Sequence, residues 1–496
     1  MRTCLRSRSR DAAQGENGRK SAVYTQYMSI LSPPLYIMAT PRCALQRDRK
    51  PVLKSLLAML TAIAVWQPAY AAFESENRRP LALPSTLERA PIPLPDLRGR
   101  DRFLPSDTRE RERARAAAQQ GKWSGYAALE GRFFFEEALF PGQESSQLSL
   151  SIQPEYYQKW DNGKQSFTFV PFYRYDAADS ERTHFDIREM TWLKVGKGHE
   201  WRVGIRKVFW GVTESQHLVD IINQTDLAEN PDGEEKLGQP MLNLALMREW
   251  GTVDLFVLPG FRERTFPGVQ GRLRLPVRID PGEALYESSD KWRHIDFAGR
   301  WSHTLGDWDL GLSHFIGTNR EPLYQLGIDA AGQPLLTPYY GLINQTGLDV
   351  LVAKGGWLWK LETIYRSGQP PTDYAAATAG FEYTFSGVWG SGMDVSMLGE
   401  YLYDDRGVQA TTPFQDDIML GMRLAANDVQ STELLMGVIF DSGTDTHFIN
   451  VEGSRRLGDH WKLNMEARAY NGLKPTDLLY SIRNDSYVQI ELARYF

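Results

Sequence analysis

The residues of this 496-residue chain best suited to chemistry are charged side chains spaced two apart in alternating segments. In FDIREMTWLKVGKGHEWRVGIRKVFWG, the apolar set Trp201, Val203, Ile205 and Phe209 places Arg202 and Arg206 on the opposite face. By the same parity Phe185, Ile187 and Leu193 leave His184, Asp186, Arg188 and Lys194 together. Arg300, Lys360, Arg366, Lys462 and Arg468 fall into similar sets, with Asp296, Glu362 and Glu466 among them. A spacing of two means strand, with alternate residues on one face. Mixed charge lining a passage sets ion and solute selectivity through its local field. The same charges can instead pair across strands and do no more than fill space.

Two long polar stretches add to this inventory. GFRERTFPGVQGRLRLPVRID carries Arg262, Arg264, Arg272, Arg274 and Arg278. Guanidinium groups of that density suit phosphate or carboxylate, either on a solute at a constriction or on lipopolysaccharide outside. VTESQHLVDIINQTDLAENPDGEEKLGQP holds an apolar run at 218–222 and then Asp226, Glu229, Asp232, Glu234 and Glu235. It is long enough to plug or gate an opening. Its acidic spacing matches no calcium loop, so a solvated acidic loop is expected. Asp441-Ser442-Gly443-Thr444 reproduces a short aspartic-protease string, but that chemistry needs a second carboxylate and no second copy exists. Asp-Ser-Gly between two alternating runs reads as a turn. The eight histidines show no metal-ligand spacing, and neither G-x-S-x-G nor a phosphate loop is present. No enzyme activity, cofactor or metal is expected.

The elements that must position these residues form one uniform pattern from 123 onward. Eighteen alternating segments can be counted, near 123–137, 147–158, 165–176, 183–195, 200–210, 241–249, 252–260, 292–304, 307–317, 342–354, 357–367, 375–386, 393–404, 414–425, 429–441, 446–456, 460–471 and 484–496. KWDNGKQ, with Asn-Gly between two aromatic runs, marks a hairpin. Connections alternate between very short (196–199, Trp250-Gly251, Leu305-Gly306, Gly355-Gly356, 426–428, 457–459) and long (211–240, 261–291, 318–341). Short turns at one rim and long loops at the other, with an even strand number, predict a transmembrane antiparallel β-barrel of about 18 strands. WKLNMEARAY illustrates the faces: Trp461, Leu463, Met465, Ala467 and Ala469 toward lipid, Lys462, Asn464, Glu466, Arg468 and Tyr470 toward a wet lumen. Aromatic residues at strand ends (Trp160, Trp192, Trp201, Trp210, Trp292, Trp301, Trp308, Trp357, Trp359, Trp461) suit interfacial belts.

Upstream, SLLAMLTAIAV follows Arg47, Arg49, Lys50 and Lys54 and precedes Ala69-Tyr70-Ala71, the three-part pattern of a secretory signal peptide within a removed region 1–71. Its removal takes both cysteines (Cys4, Cys43) with it and leaves 45 Lys/Arg against 59 Asp/Glu. That acidic balance excludes a nucleic-acid partner. Residues 72–120, rich in Pro and Arg without apolar periodicity, read as a periplasmic arm.

The chain ends YVQIELARYF, whose Val488, Ile490, Leu492 and Phe496 alternate up to an aromatic last residue. This resembles the C-terminal assembly signal of Gram-negative outer-membrane β-barrels, although Arg494 stands where an apolar residue is usual. The hairpin quoted above is also similar to porin-like and alginate-export-like barrels. The resemblance implies an outer-membrane location, contact with membrane lipid and lipopolysaccharide, and recognition of the last strand by the barrel-assembly machinery. With the inward Arg and Lys it implies passage of small polar or anionic solutes. Export of an anionic polysaccharide and an outer-membrane hydrolase are the alternatives.

Overall fold

A computed structural model describes residues 121–496; the expected removed region 1–71 and arm 72–120 lie outside the described residues. In chain order the strands are β1 (Lys122–Phe134), β2 (Ser146–Trp160), β3 (Gln165–Asp176), β4 (His184–Val195), β5 (His199–Arg206), β6 (Gln239–Arg248) and β7 (Gly251–Pro259). Two short strands follow, β8 (Arg278–Ile279) and β9 (Leu285–Tyr286), then β10 (Ile295–Leu305), β11 (Trp308–Thr318), β12 (Leu323–Ile328) and β13 (Pro334–Tyr340). The remainder are β14 (Leu342–Lys354), β15 (Trp357–Ser367), β16 (Tyr374–Phe385), β17 (Asp394–Asp404), β18 (Asp416–Ala425), β19 (Glu433–Asp441), β20 (His447–Leu457), β21 (Trp461–Asn471) and β22 (Tyr487–Tyr495).

Eighteen of these strands pair antiparallel, each with its sequence neighbours, and the ring closes where β22 pairs with β1 (Tyr126 opposite Tyr495, Phe134 opposite Tyr487). Closure removes both sheet edges and gives each strand a hydrogen-bonded neighbour on either side. All eighteen expected segments are strands of this barrel. The expected asymmetry of connections also holds: 249–250, 306–307 and 355–356 turn at one rim, while 207–238, 260–294 and 319–341 loop from the other. At the β2–β3 hairpin Asn162 and Gly163 take left-handed φ values of 54° and 82°, the backbone that Asn-Gly permits.

The exterior is apolar. Leu129, Phe133, Leu150, Phe297, Leu312, Trp359, Tyr401, Met465 and Ile490 are all exposed, as a lipid-facing wall requires. Arg494 faces outward too, its guanidinium 5.7 Å from the Trp461 ring. A long cation lying on an interfacial indole can reach water, which accommodates this departure from the terminal pattern.

Three expectations need correction. A bulge in β4 leaves Arg188 unpaired, because Val170 meets Glu189 while Pro171 meets Ile187. An extra residue reverses every later face. Thr191 is therefore buried inside and Lys194 faces out, and Leu193 joins the inward set opposite Arg202. Strand β5 ends at Arg206 rather than 210, and Trp210 sits not in an interfacial belt but buried inside against Phe256, ring centroids 5.7 Å apart. Finally, the long loops contain structure of their own. Strands β12 and β13 form a hairpin, and β13 pairs in parallel with β8 and β9, knitting loop 260–294 to loop 319–341.

Candidate functional site

Loop 207–238 enters the barrel and crosses its bore as a strap. Its apolar run explains why. Val219, Ile221 and Ile222 are buried, with Leu218 beside them, against the inward side chains Met241, Phe256, Leu258, Ala298, Phe315, Ile343, Ile364, Tyr374 and Ala376. These belong to β6, β7, β10, β11, β14, β15 and β16, so the barrel holds a hydrophobic core inside its own lumen. Fully burying three such aliphatic side chains contributes on the order of 5–9 kcal/mol, an upper estimate because the unfolded chain already shields some surface.

Polar contacts fix both ends of the strap. At one end Glu362 on β15 accepts hydrogen bonds from the Val212 and Thr213 amides (2.6 and 3.0 Å), the Thr213 hydroxyl (2.7 Å) and the Val219 amide (3.2 Å). Glu400 on β17 accepts from the Glu214 and Ser215 amides (both 2.8 Å) and the Ser215 hydroxyl (2.5 Å). Glu214 reaches Lys360 (3.4 Å) and Arg423 (2.7 Å). His217 lies 3.1 Å from Glu234 and 3.7 Å from Glu362. Burial disfavours its imidazolium, but hydrogen bonds and charge from those two carboxylates prevail and lift it to about 10.

At the other end, on the opposite arc of the ring, Asp226 pairs with Arg188 (3.0 Å), Glu229 with Arg174 (3.0 Å) and Asp232 with Arg468 (2.9 Å). Asn230 donates to Glu466 (3.1 Å). Burial raises Asp232 to about 7 against the opposing charge of Arg468. The expectation of a solvated acidic loop therefore fails for Asp226 and Glu229, which are buried and spent on arginines; only Glu234 and Glu235 stay about half exposed.

The inward cations read from the sequence all lie on the lumen face, and most have partners. Arg188 pairs with Asp226, Arg202 with Glu200, Arg300 with Asp349, Lys360 with Glu214 and Glu382, Arg366 with Glu321 (3.1 Å), and Arg468 with Asp232, Glu452 and Glu466. Arg206 bonds the Asn243 side-chain oxygen (3.2 Å), and neither it nor Lys462 makes an ion pair among the described residues. The loop arginines do not form one cluster. Arg262 reaches Asp186 (2.8 Å), and Arg264 reaches Gln224 of the strap (3.2 Å). Arg272 is buried on Asp485 (2.6 Å) and over the Phe134 ring (4.4 Å). Arg274 lies over Phe140 (4.3 Å), and Arg278, half exposed, pairs with Asp280 (3.0 Å). Asp441 of the protease-like string accepts from the Gly443 and Thr444 amides (2.7 and 3.0 Å), as a turn aspartate does.

The strap fills the bore unevenly. Inward residues of β14 to β17 are buried (Ile343, Asp349, Lys360, Glu362, Thr378, Glu382, Leu398, Glu400). Those of β19, β20 and β21 are half-buried throughout and make no hydrogen bond to the strap except through Glu466 and Arg468. The strap thus packs more fully on β14–β17 than on β19–β21. Sequence reasoning missed the apolar inner wall, although one signal was present. MLNLALM and DLFVLPG are apolar on both faces, which a barrel strand needs only where its inward side is also packed.

No family model and no curated protein matches the sequence. Among solved structures, the chain is similar to a triple mutant of Rh. blastica porin at 11% identity and a TM-score of 0.38, over 76% of this chain and 100% of that one. A double mutant of the same porin gives 12% identity and the same score and coverage. The class of this protein is given by its own pairing and two-sided burial: it is a transmembrane β-barrel of 18 strands with an internal strap.

Proposed function

We propose that the chain is an outer-membrane diffusion channel, in which the strap narrows the bore and a polar lane along β19–β21 carries small polar solutes. The observation that supports this reading is the contrast between the packed inward faces of β14–β17 and the accessible ones of β19–β21. An eighteen-stranded barrel encloses an aqueous bore unless its contents fill it, and here the filling is one-sided. The strap acts as a fixed constriction and not as a swinging gate, because its centre is buried in apolar side chains.

The inward arginines and lysines are the finer part of the proposal. Six of the eight are held in ion pairs, so they shape the wall and its field more than they recruit free anions. Membrane lipid contacts the apolar exterior in this reading, lipopolysaccharide phosphate meets the half-exposed Arg278, and assembly proceeds through β22. Planar-bilayer recording of the purified, folded protein tests the function. Discrete current steps are expected, and their absence would sink the channel reading.

A further inference from the structure

The strap has two parts held by different forces. Residues 218–222 are buried in apolar side chains, whereas the tip at 212–217 rests on the wall through hydrogen bonds to two carboxylates. We propose that Glu362 and Glu400 are positioning residues that latch the strap tip and thereby set the aperture of the channel. This rests on the proposed channel reading and adds a mechanism for its width.

The geometry is specific. Glu362 accepts three backbone or hydroxyl donors on one oxygen, from Val212 and Thr213, and the Val219 amide on the other. Glu400 divides the Glu214 amide, the Ser215 amide and the Ser215 hydroxyl between its two oxygens. Seven donors thus converge on two wall side chains that are themselves buried. The five amides among them would otherwise be unsatisfied inside the barrel, at a cost the strap avoids only while the carboxylates stay in place. Glu214, whose amide is held by Glu400, turns its own carboxylate to Lys360 and Arg423. The tip lies between Trp210 and Val219 of the apolar core and is itself held to the wall by polar contacts: when the two acceptors lose their charge it can lift while 218–222 stays packed. A carboxamide keeps one acceptor oxygen but donates from the other position, so each Glu→Gln change both removes charge and opposes an amide with an amide.

The test uses the full chain carrying Glu362→Gln and Glu400→Gln, with folding judged by the mobility shift on boiling. Amide exchange at Val212, Thr213, Glu214 and Ser215 is expected to rise by about a hundredfold, taking roughly tenfold for each weakened charged acceptor. Exchange at Asp226 and Leu237, whose amides bond the backbone oxygens of Glu235 and Gln224, should not change. Single-channel records of the variant are expected to gain a second, higher conductance level. Should the double variant fail to fold, Thr213→Val with Ser215→Ala removes two donors from the strap side and is expected to shift exchange the same way. Unchanged tip exchange and a single wild-type conductance level in a folded variant would overturn the latch. Raised tip exchange with no current from any form would remove the channel reading and leave the latch standing.

Discussion

Replacing Ile222 by alanine isolates the force that keeps the strap inside the barrel. Ile222 is fully buried among Trp210, Met241, Phe256, Phe315 and the other inward side chains of the lumen core. Truncating a buried isoleucine costs about 2–5 kcal/mol through lost transfer energy and the cavity left behind. Set against the roughly 5–9 kcal/mol from burial of Val219, Ile221 and Ile222, that is a substantial share of the strap's apolar anchorage, about a fifth at the least. The penalty falls on local release of the strap, because the eighteen-strand ring closes through its own backbone pairing. Exchange of the strap's central amides should then rise by about thirtyfold or more, while the melting temperature of the barrel stays close to wild type. Exchange that does not change would refute the packed-strap account. A fall in barrel melting equal to the strap effect would show that strap and ring are one cooperative unit.

Other perturbations probe the polar anchors. Arg272→Leu leaves Asp485 buried without its partner and should destabilise the barrel by about 3–5 kcal/mol in thermal or denaturant unfolding; a loss under about 1 kcal/mol would mean that Asp485 finds water. Arg300→Ala strands the buried Asp349 in the same way, and Asp349→Ala added to it should recover most of the loss, a coupling that a double-mutant cycle measures directly. His217 is raised from 6.5 to about 10. Its stabilising contribution is therefore complete below pH 6.5 and disappears as pH rises through about 10. Intrinsic-rate-corrected exchange of the strap tip should be lowest near pH 6 and increase toward pH 10 in the wild type but not in His217→Asn; a step near the ordinary histidine value would contradict the bridged geometry.

The architecture was legible because barrel strands write their faces into the sequence with a period of two, and loop lengths write the two rims. Parity failed at one place, the Arg188 bulge, where an extra residue carries no compositional mark and reverses Leu193 and Lys194. The inward direction of Arg202, Arg300, Lys360, Arg366 and Arg468 could be read from parity, but their partners could not. Pairing with Asp226, Glu214 or Asp232 depends on a strap that folds back across the bore, and no local pattern encodes that contact. Strand segments 241–260 and 375–404 alternated weakly for a physical reason. Met241, Phe256, Leu258, Leu398 and Leu402 are apolar yet buried inside, so both faces of their strands look alike. The four loop strands were invisible because β8 and β9 are two residues each and gain their pairing only from β13.

In the proposed channel, charge left over after pairing, rather than charge present, sets the ion preference. From residue 121 onward the chain carries 35 Lys/Arg and 51 Asp/Glu, so neutralising each cation still leaves carboxylates in excess. Inside the barrel Glu234, Glu235 and Glu452 have the most exposed acidic side chains that pair with lumen residues, at 54%, 48% and 45%, against 36% for Arg423 and 32% for Lys207. Glu452 lines β20, and Glu234 and Glu235 lie on the strap segment next to Asp232, which pairs with Arg468. In the proposed channel, a negative surplus on β20 and on the strap raises the local concentration of cations. The reversal potential across a salt gradient should accordingly show cation preference, contrary to the anion preference suggested by the arginines alone. Changing Glu234, Glu235 and Glu452 to Gln should move that potential toward zero, with the effect shrinking at high ionic strength as screening shortens the field. Anion preference in the wild type would refute this and return selectivity to inward cations such as Arg206 and Lys462, the two of the eight read from the sequence that make no ion pair among the described residues.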